Sequence, residues 1–386
     1  MNWKKNNDIL ISQPNQIMWF QLKKPENVIS PSLLFYKDRI ESNIDRMINI
    51  AGNVDRLIPH VKTHKTAEIV RIQLYKGISK FKCATIAEAE MLAEAGAKWV
   101  LIAYQMVGPN IARLLSLKAA FPDVSFSALV DNEKSADALN DFSLASGVTT
   151  NVFIDVNNGM NRSGHPTDDS LLSLFRHIQN LKNLSVLGIH AYDGHIRNPE
   201  FSERKLASDE AFEKIYPLID LVKEKLGSDA MIIAGGSPSF NIHNLRPDVH
   251  LSPGTNVLWD WGYGSRFQDQ PFLHAALILT RVISKPSVGT VTIDLGHKAV
   301  AAENPIDSRF QILNLTNYEV ISQSEEHGVL EVGEQAWEHI QIGDIFYALP
   351  YHICPSVALH EFASVIENGE VSQEWQIVAR KRRIHI

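Results

Sequence analysis

Between about Ser32 and Thr255, short apolar runs alternate with amphipathic stretches, and no other feature limits the possible folds so sharply. A strand-then-helix rhythm calls for a parallel sheet with crossover helices. The runs read as strands are Leu33 to Tyr36, Arg56 to Lys62, Lys80 to Ala84, Trp99 to Tyr104, Ser125 to Asp131, Asn151 to Asn157, Val186 to Tyr192 and Met231 to Ala234. Helices are expected over Thr85 to Glu94, where Ile86, Ala89 and Ala93 recur near helical spacing, and over Asp209 to Leu226. Eight strands close a barrel, so the expected class is α/β, a (β/α)8 barrel of TIM type over residues 30–265, with an open doubly wound sheet as the alternative.

After about Pro271 the texture changes to Val/Ile/Thr-rich runs broken by Gly, Asp, Asn or Pro: Val288 to Leu295, Phe310 to Leu315, Gly328 to Val332, Asp344 to Ala348 and Ser364 to Glu367. This predicts a mostly antiparallel β domain over residues 266–386. Residues 1–29 are assigned to it as well, with the alternating Trp19-Phe20-Gln21-Leu22 as a further strand. A chain of 386 residues accommodates both, since one barrel takes about 250.

Composition narrows the partners. A net charge of -7 without a basic face gives no reason to expect nucleic acid or an anionic membrane, and Lys381-Arg382-Arg383 reads as a solvated end. No apolar run approaches a bilayer span, and the polar start Met1 to Asp8 lacks a signal-peptide pattern, so the cytoplasm is the expected compartment. Two cysteines, Cys83 and Cys354, are too few for a disulfide framework.

Chemistry concentrates where the predicted strands end. Pro59-His60-Val61-Lys62-Thr63-His64-Lys65 follows the second strand. A lysine at the carboxyl end of a barrel strand, desolvated and near other cations, is a candidate Schiff-base amine; a basic loop facing an acidic neighbour is the competing reading. The run Asp155 to Gly164 brings Arg162 to the barrel mouth, where a guanidinium can hold an oxyanion. His190 and Tyr192 alternate along the next strand and share a face, as a satisfied core pair or as a platform for a flat ring. Gly235-Gly236-Ser237 and Gly254-Thr255-Asn256 follow the last strands, where barrels commonly bind phosphate. In the β domain, His352 and Cys354 lie two residues apart, and on a strand they would converge on one metal ion such as Zn²⁺; a buried inert cysteine is the bland alternative.

Taken in order, Pro-His-Val-Lys-Thr-His-Lys, Gly-Met-Asn-Arg-Ser-Gly, His-Ala-Tyr-Asp-Gly-His, Ala-Gly-Gly-Ser-Pro, Ser-Pro-Gly-Thr, Ser-Glu-Glu-His-Gly and His-Ile-Cys-Pro resemble the D-threonine aldolase and D-serine dehydratase family, alanine-racemase-like enzymes of fold type III. The resemblance runs from about Ser30 to Arg380. It implies pyridoxal 5'-phosphate with Lys62 as the Schiff-base lysine, Lys65 being the internal rival. Arg162 would meet the cofactor's phenolic oxygen, His190 would lie against its ring and Tyr192 beside it. The two Gly loops, with Ser237, Thr255 and Asn256, would hold the phosphate, and His352 and Cys354 would bind Zn²⁺ or Mn²⁺. His195 is a candidate base or water-holder. Two departures stand out: Ile58 precedes Pro59 where the family usually has Arg, and Asn256 replaces a common Tyr.

The implied function is a lyase acting on D-3-hydroxy amino acids, with aldol cleavage to glycine and an aldehyde placed first. Dehydration of D-serine or D-threo-3-hydroxyaspartate uses the same parts. A racemase would need a second base not identified here, and a non-catalytic cofactor carrier would not need the β domain. A homodimer is expected, the β domain of one chain serving the barrel of the other.

Overall fold

The computed structural model describes residues 18–386, and the chain divides into two compact units. One comprises Ile40–Trp259, Tyr263–Leu273 and Gln376–Ile386; the other takes the described residues up to Arg39, Asp260–Gly262 and His274–Trp375.

The first strand, β1 (Ser32–Tyr36), is not a barrel stave. It pairs in parallel and antiparallel fashion with strands of the second unit, contrary to the sequence-based expectation. The barrel sheet instead runs, all parallel and in chain order, through β2 (Lys80–Cys83), β3 (Trp99–Gln105), β4 (Ser125–Val130), β5 (Thr150–Val156), β6 (Leu184–Ala191), β7 (Met231–Ala234) and β8 (Val249–Leu251). The stretch expected as the second strand forms only bridges, yet it joins the two sheet edges. Leu57 bridges to Leu251 and His60 to Lys82. Ile58 N–H donates to Leu251 O at 2.8 Å, His60 N–H to Pro253 O at 2.7 Å and Val61 N–H to Lys82 O at 2.9 Å. Seven strands and one extended seam therefore make the α/β barrel.

Local chemistry sets the helix ends. The helix Ile86–Glu94 starts at Thr85, whose hydroxyl accepts the Glu88 N–H at 3.1 Å. The single helix expected over Asp209 to Leu226 is two, Phe201–Glu213 and Tyr216–Leu226. Pro217 lacks an N–H donor and fits only a first turn, so the helix must restart there. Inside the barrel, Ile58, Leu101, Leu129, Phe153 and Ile233 form an apolar cluster.

The second unit is built on β9 (Ala276–Ser287), which pairs with β1, β10 (Thr290–Ile293) and β14 (Ile345–Pro350). β11 (Phe310–Ile312) pairs with β14, and β12 (Tyr318–Gln323) with β13 (Gly328–Val332), all antiparallel. β15 (Phe362–Glu367) lies parallel to β1 and beside β16 (Glu370–Gln376). Trp19 to Leu22 is not a strand, but its alternation is real in burial: Phe20 and Leu22 join Leu34, Tyr36, Leu277 and Tyr347 in the core. Among the described residues no helix is long and apolar enough to cross a membrane.

Candidate active site

Side chains from the seam, β2, β5 and β6 converge at the barrel mouth around Tyr192. The Lys62 Nζ lies 5.6 Å from the centre of its ring, the Lys82 Nζ 5.8 Å, and the Arg162 guanidinium 4.9 Å. Lys62 follows the seam directly, and its N–H donates to His60 Nδ1 at 3.2 Å, which fixes the turn carrying it. Lys65 goes elsewhere: it pairs with the buried Glu88 and adopts a left-handed backbone, φ 55°.

One carboxylate organises the floor. The Asp155 carboxylate accepts from His190 Nδ1 at 2.8 Å, Gln105 Nε2 at 2.8 Å and Ser163 Oγ at 3.1 Å. Burial pushes the Asp155 pKa up, but these hydrogen bonds outweigh it and hold the carboxyl below its ordinary range. The other nitrogen of His190, Nε2, stands 3.4 Å from Lys82 Nζ. Burial first, and then Lys82, keep the His190 pKa low against the pull of Asp155, so the ring is neutral. Lys82 is 2% exposed, and burial together with Lys62 pushes its pKa down to about 7. Cys83, next in sequence, is fully buried with its thiol pKa raised by burial, which marks it as core packing.

The two glycine loops meet through Ser237, whose hydroxyl accepts the N–H groups of Gly254 at 3.2 Å and Thr255 at 2.9 Å. Gly235 has φ +75°, and a Cβ there would sit 2.5 Å from the His243 ring; a Cβ on Gly236 would lie 2.7 Å from the Tyr192 ring. Both positions need glycine. Asn256 is fully buried, gives its amide to Gln270 at 3.2 Å and leaves Oδ1 without a partner. A small-residue cradle beside a mouth lined with cations suits a flat anionic ligand bearing a phosphate. His195 lies exposed at the rim, its Nε2 2.7 Å from where a Gly159 Cβ would stand.

His352 and Cys354 lie in the other unit. They are not on one strand, as expected, because β14 ends at Pro350 and the helix Ile353–Leu359 begins between them. They still meet, since the Cys354 side chain hydrogen-bonds His352. Glu303 accepts from His352 Nδ1 at 2.6 Å, and Asp260 accepts the Ile353 N–H at 3.0 Å. Burial lowers the His352 pKa, but Cys354, Asp260 and Glu303 overcome it and raise it to about 9. An imidazole, a thiol and a carboxylate orienting the imidazole form a donor set that fits a divalent ion with open positions.

Sequence reasoning missed Lys82, Gln105 and Glu303, and gave Asp155 no role. The signal for Lys82 was present: in a strand covered on both faces, a lysine between Phe81 and Cys83 must point opposite to them, into the barrel.

Residues 36–255 match the family described as alanine racemase, N-terminal domain, and residues 275–366 one described as a putative serine dehydratase domain. The chain is 28% identical over 358 residues to a D-threonine aldolase of Arthrobacter sp, covering 92% of this chain and 93% of the relative. It is 25% identical over 363 residues to a 3-hydroxy-D-aspartate aldolase of Paracoccus denitrificans (strain Pd 1222), with coverage of 91% and 92%. The crystal structure of D-threonine aldolase from Filomicrobium marinum superimposes with a TM-score of 0.82 at 26% identity, covering 92% of this chain and 95% of that one. The chain thus belongs to the alanine racemase N-terminal-domain family, in its D-threonine aldolase and D-serine dehydratase group, and is a pyridoxal-phosphate-dependent lyase.

Proposed function

We propose that this lyase acts on D-3-hydroxy amino acids and cleaves the Cα–Cβ bond, releasing glycine and an aldehyde. The observation that carries the lyase reading is the placement of Lys62 and Arg162 around Tyr192, above a His190 that Asp155 anchors, and the similarity to D-threonine aldolases puts cleavage first. When bound, pyridoxal phosphate supplies the electron sink for breaking a bond to Cα.

The chain's own residues do the rest. Lys62 supplies the amine that links the cofactor and afterwards moves protons at Cα. Arg162 would meet the phenolic oxygen, His190 would lie against the ring, and Tyr192 would sit beside it. Gly235, Gly236, Ser237, Gly254, Thr255 and Asn256 would receive the phosphate. His352 and Cys354 would hold Zn²⁺, which their imidazole and thiolate favour, or Mn²⁺, and such an ion would supply Lewis acidity for a hydroxyl. His195 is the rim base or water-holder. The working form is a cytoplasmic homodimer.

Dehydration is the second reading, favoured by the match of residues 275–366 to the serine dehydratase domain. There Lys62 would take the Cα proton, and an ion held by His352 and Cys354 would supply the Lewis acidity for loss of the hydroxyl. Incubation with D-threonine, D-serine and D-threo-3-hydroxyaspartate, with and without Zn²⁺ or Mn²⁺, discriminates by product. Glycine supports aldol cleavage, ammonia supports dehydration, and neither product from any substrate overturns both.

A further inference from the structure

Lys82 has no task in the chemistry above, yet it occupies an expensive position. An ammonium taken out of water costs several kcal/mol unless it is partnered, so a buried lysine needs a reason to be there. Its Nζ reaches His190 Nε2 at 3.4 Å. On the far side of that ring, Nδ1 faces the Asp155 carboxylate at 2.8 Å, and an ionised carboxylate only accepts, so Nδ1 carries the hydrogen. A second N–H on Nε2 would then set two cationic donors against each other in a buried chamber.

We propose that Lys82 is a positioning residue for His190. Its ammonium donates to Nε2 and fixes the ring as the neutral Nδ1–H form, so that the imidazole is held from both sides, by Asp155 and by Lys82. A hydrogen bond on each nitrogen locks both the tautomer and the tilt of the imidazole.

The donor is also switchable. His60 and Lys62 face Lys82 from the seam, Asp155 from β5, Arg162 from the loop after it, His190 from β6, and Asp193 from just beyond. Burial, Lys62 and Arg162 favour loss of its proton, Asp155 and Asp193 oppose it, and the balance falls near pH 7. Below that point a full ammonium donates to Nε2. Above it the contact weakens to that of a neutral amine, so the His190 ring registers a proton that it never binds.

The inference rests on the proposed function only in setting His190 against the cofactor. The test is nitrogen NMR of histidine-labelled protein, with and without pyridoxal phosphate, in the wild type and the Lys82→Met and Lys82→Arg variants, the His190 signals being identified by their loss in His190→Gln. The wild type should show an unprotonated Nε2 whose shift steps with a midpoint near pH 7. Lys82→Met should abolish the step, and Lys82→Arg should keep the hydrogen-bonded shift while flattening the step, because a guanidinium stays charged. An Nε2–H or imidazolium signal in the wild type, or a step surviving in either variant, overturns the proposal. Failure to load pyridoxal phosphate would sink the proposed function instead, and the ring signals of the unloaded protein would still decide about Lys82.

Discussion

The two candidate centres hold their charge in opposite ways. In the barrel, the side chains of His190 and Asp155 are 6% and 5% exposed, and each ring nitrogen and carboxylate oxygen has a protein partner. In the β domain, His352 and Glu303 are each 47% exposed and meet water directly. A buried network is organised before any ligand arrives and resists rearrangement. An open pair leaves coordination positions to solvent and lets an ion come and go. The contrast fits the proposed division between a cofactor held in the barrel and a metal held at the β domain.

The sharpest way to break that comparison is Lys62→Ala. Loss of the visible absorbance band is expected, with an activity drop on the order of 10⁴-fold, the top of the range for a positioned proton-transfer group. Borohydride should abolish the band in the wild type and leave its label on Lys62; a label on Lys65 would overturn the assignment.

Metal removal comes next. Chelation, or Cys354→Ala, should lower turnover about 100-fold or more while the absorbance band survives. Full activity in a rigorously metal-free preparation would end the distinction between the centres. Glu303→Gln sharpens it with a smaller effect: metal affinity, read by titration, should fall about 10- to 100-fold, as when an orienting carboxylate is lost, with the barrel spectrum unchanged.

The smallest effect is on stability. The folded pKa of Lys82 is about 7 against an ordinary 10.5, so between those values the unfolded chain binds a proton that the folded chain does not. Stability then rises with pH, and the burden of burying this lysine is greatest below pH 7. Lys82→Met should therefore melt higher than the wild type in mild acid, with the gap closing as the pH rises. A gap that widens would show Lys82 stabilised as a cation.

Much of this was legible in the sequence, and the failures have physical causes. The β/α rhythm gave the barrel because parallel strands are buried on both faces and read as apolar runs. The same property hid the allocation of β1: Leu33, Leu34 and Phe35 are wholly buried, as they would be in either sheet. β8, with three residues, is too short to show a period, so the strand count came to eight with one member wrong. Lys62, Arg162, His190 and Tyr192 could be named because each ends or follows a strand. Glu303 could not, since its link to His352 spans 49 positions and no local pattern encodes it. His352 and Cys354 were paired by strand alternation, but a helix start brings them together.

The seam from Leu57 to Val61 has a consequence for how the chain acquires its chemistry. Its hydrogen bonds reach forward to Leu251 and Pro253, nearly two hundred residues along, so the loop-closure entropy is met only once the last stave is in place. Until β8 is in place the seam holds only its bonds to β2, such as Val61 N–H to Lys82 O, and its other edge stays unpaired. Amide exchange at Ile58, His60 and Val61 should accordingly be among the slowest in the barrel, opening only when the whole cylinder does.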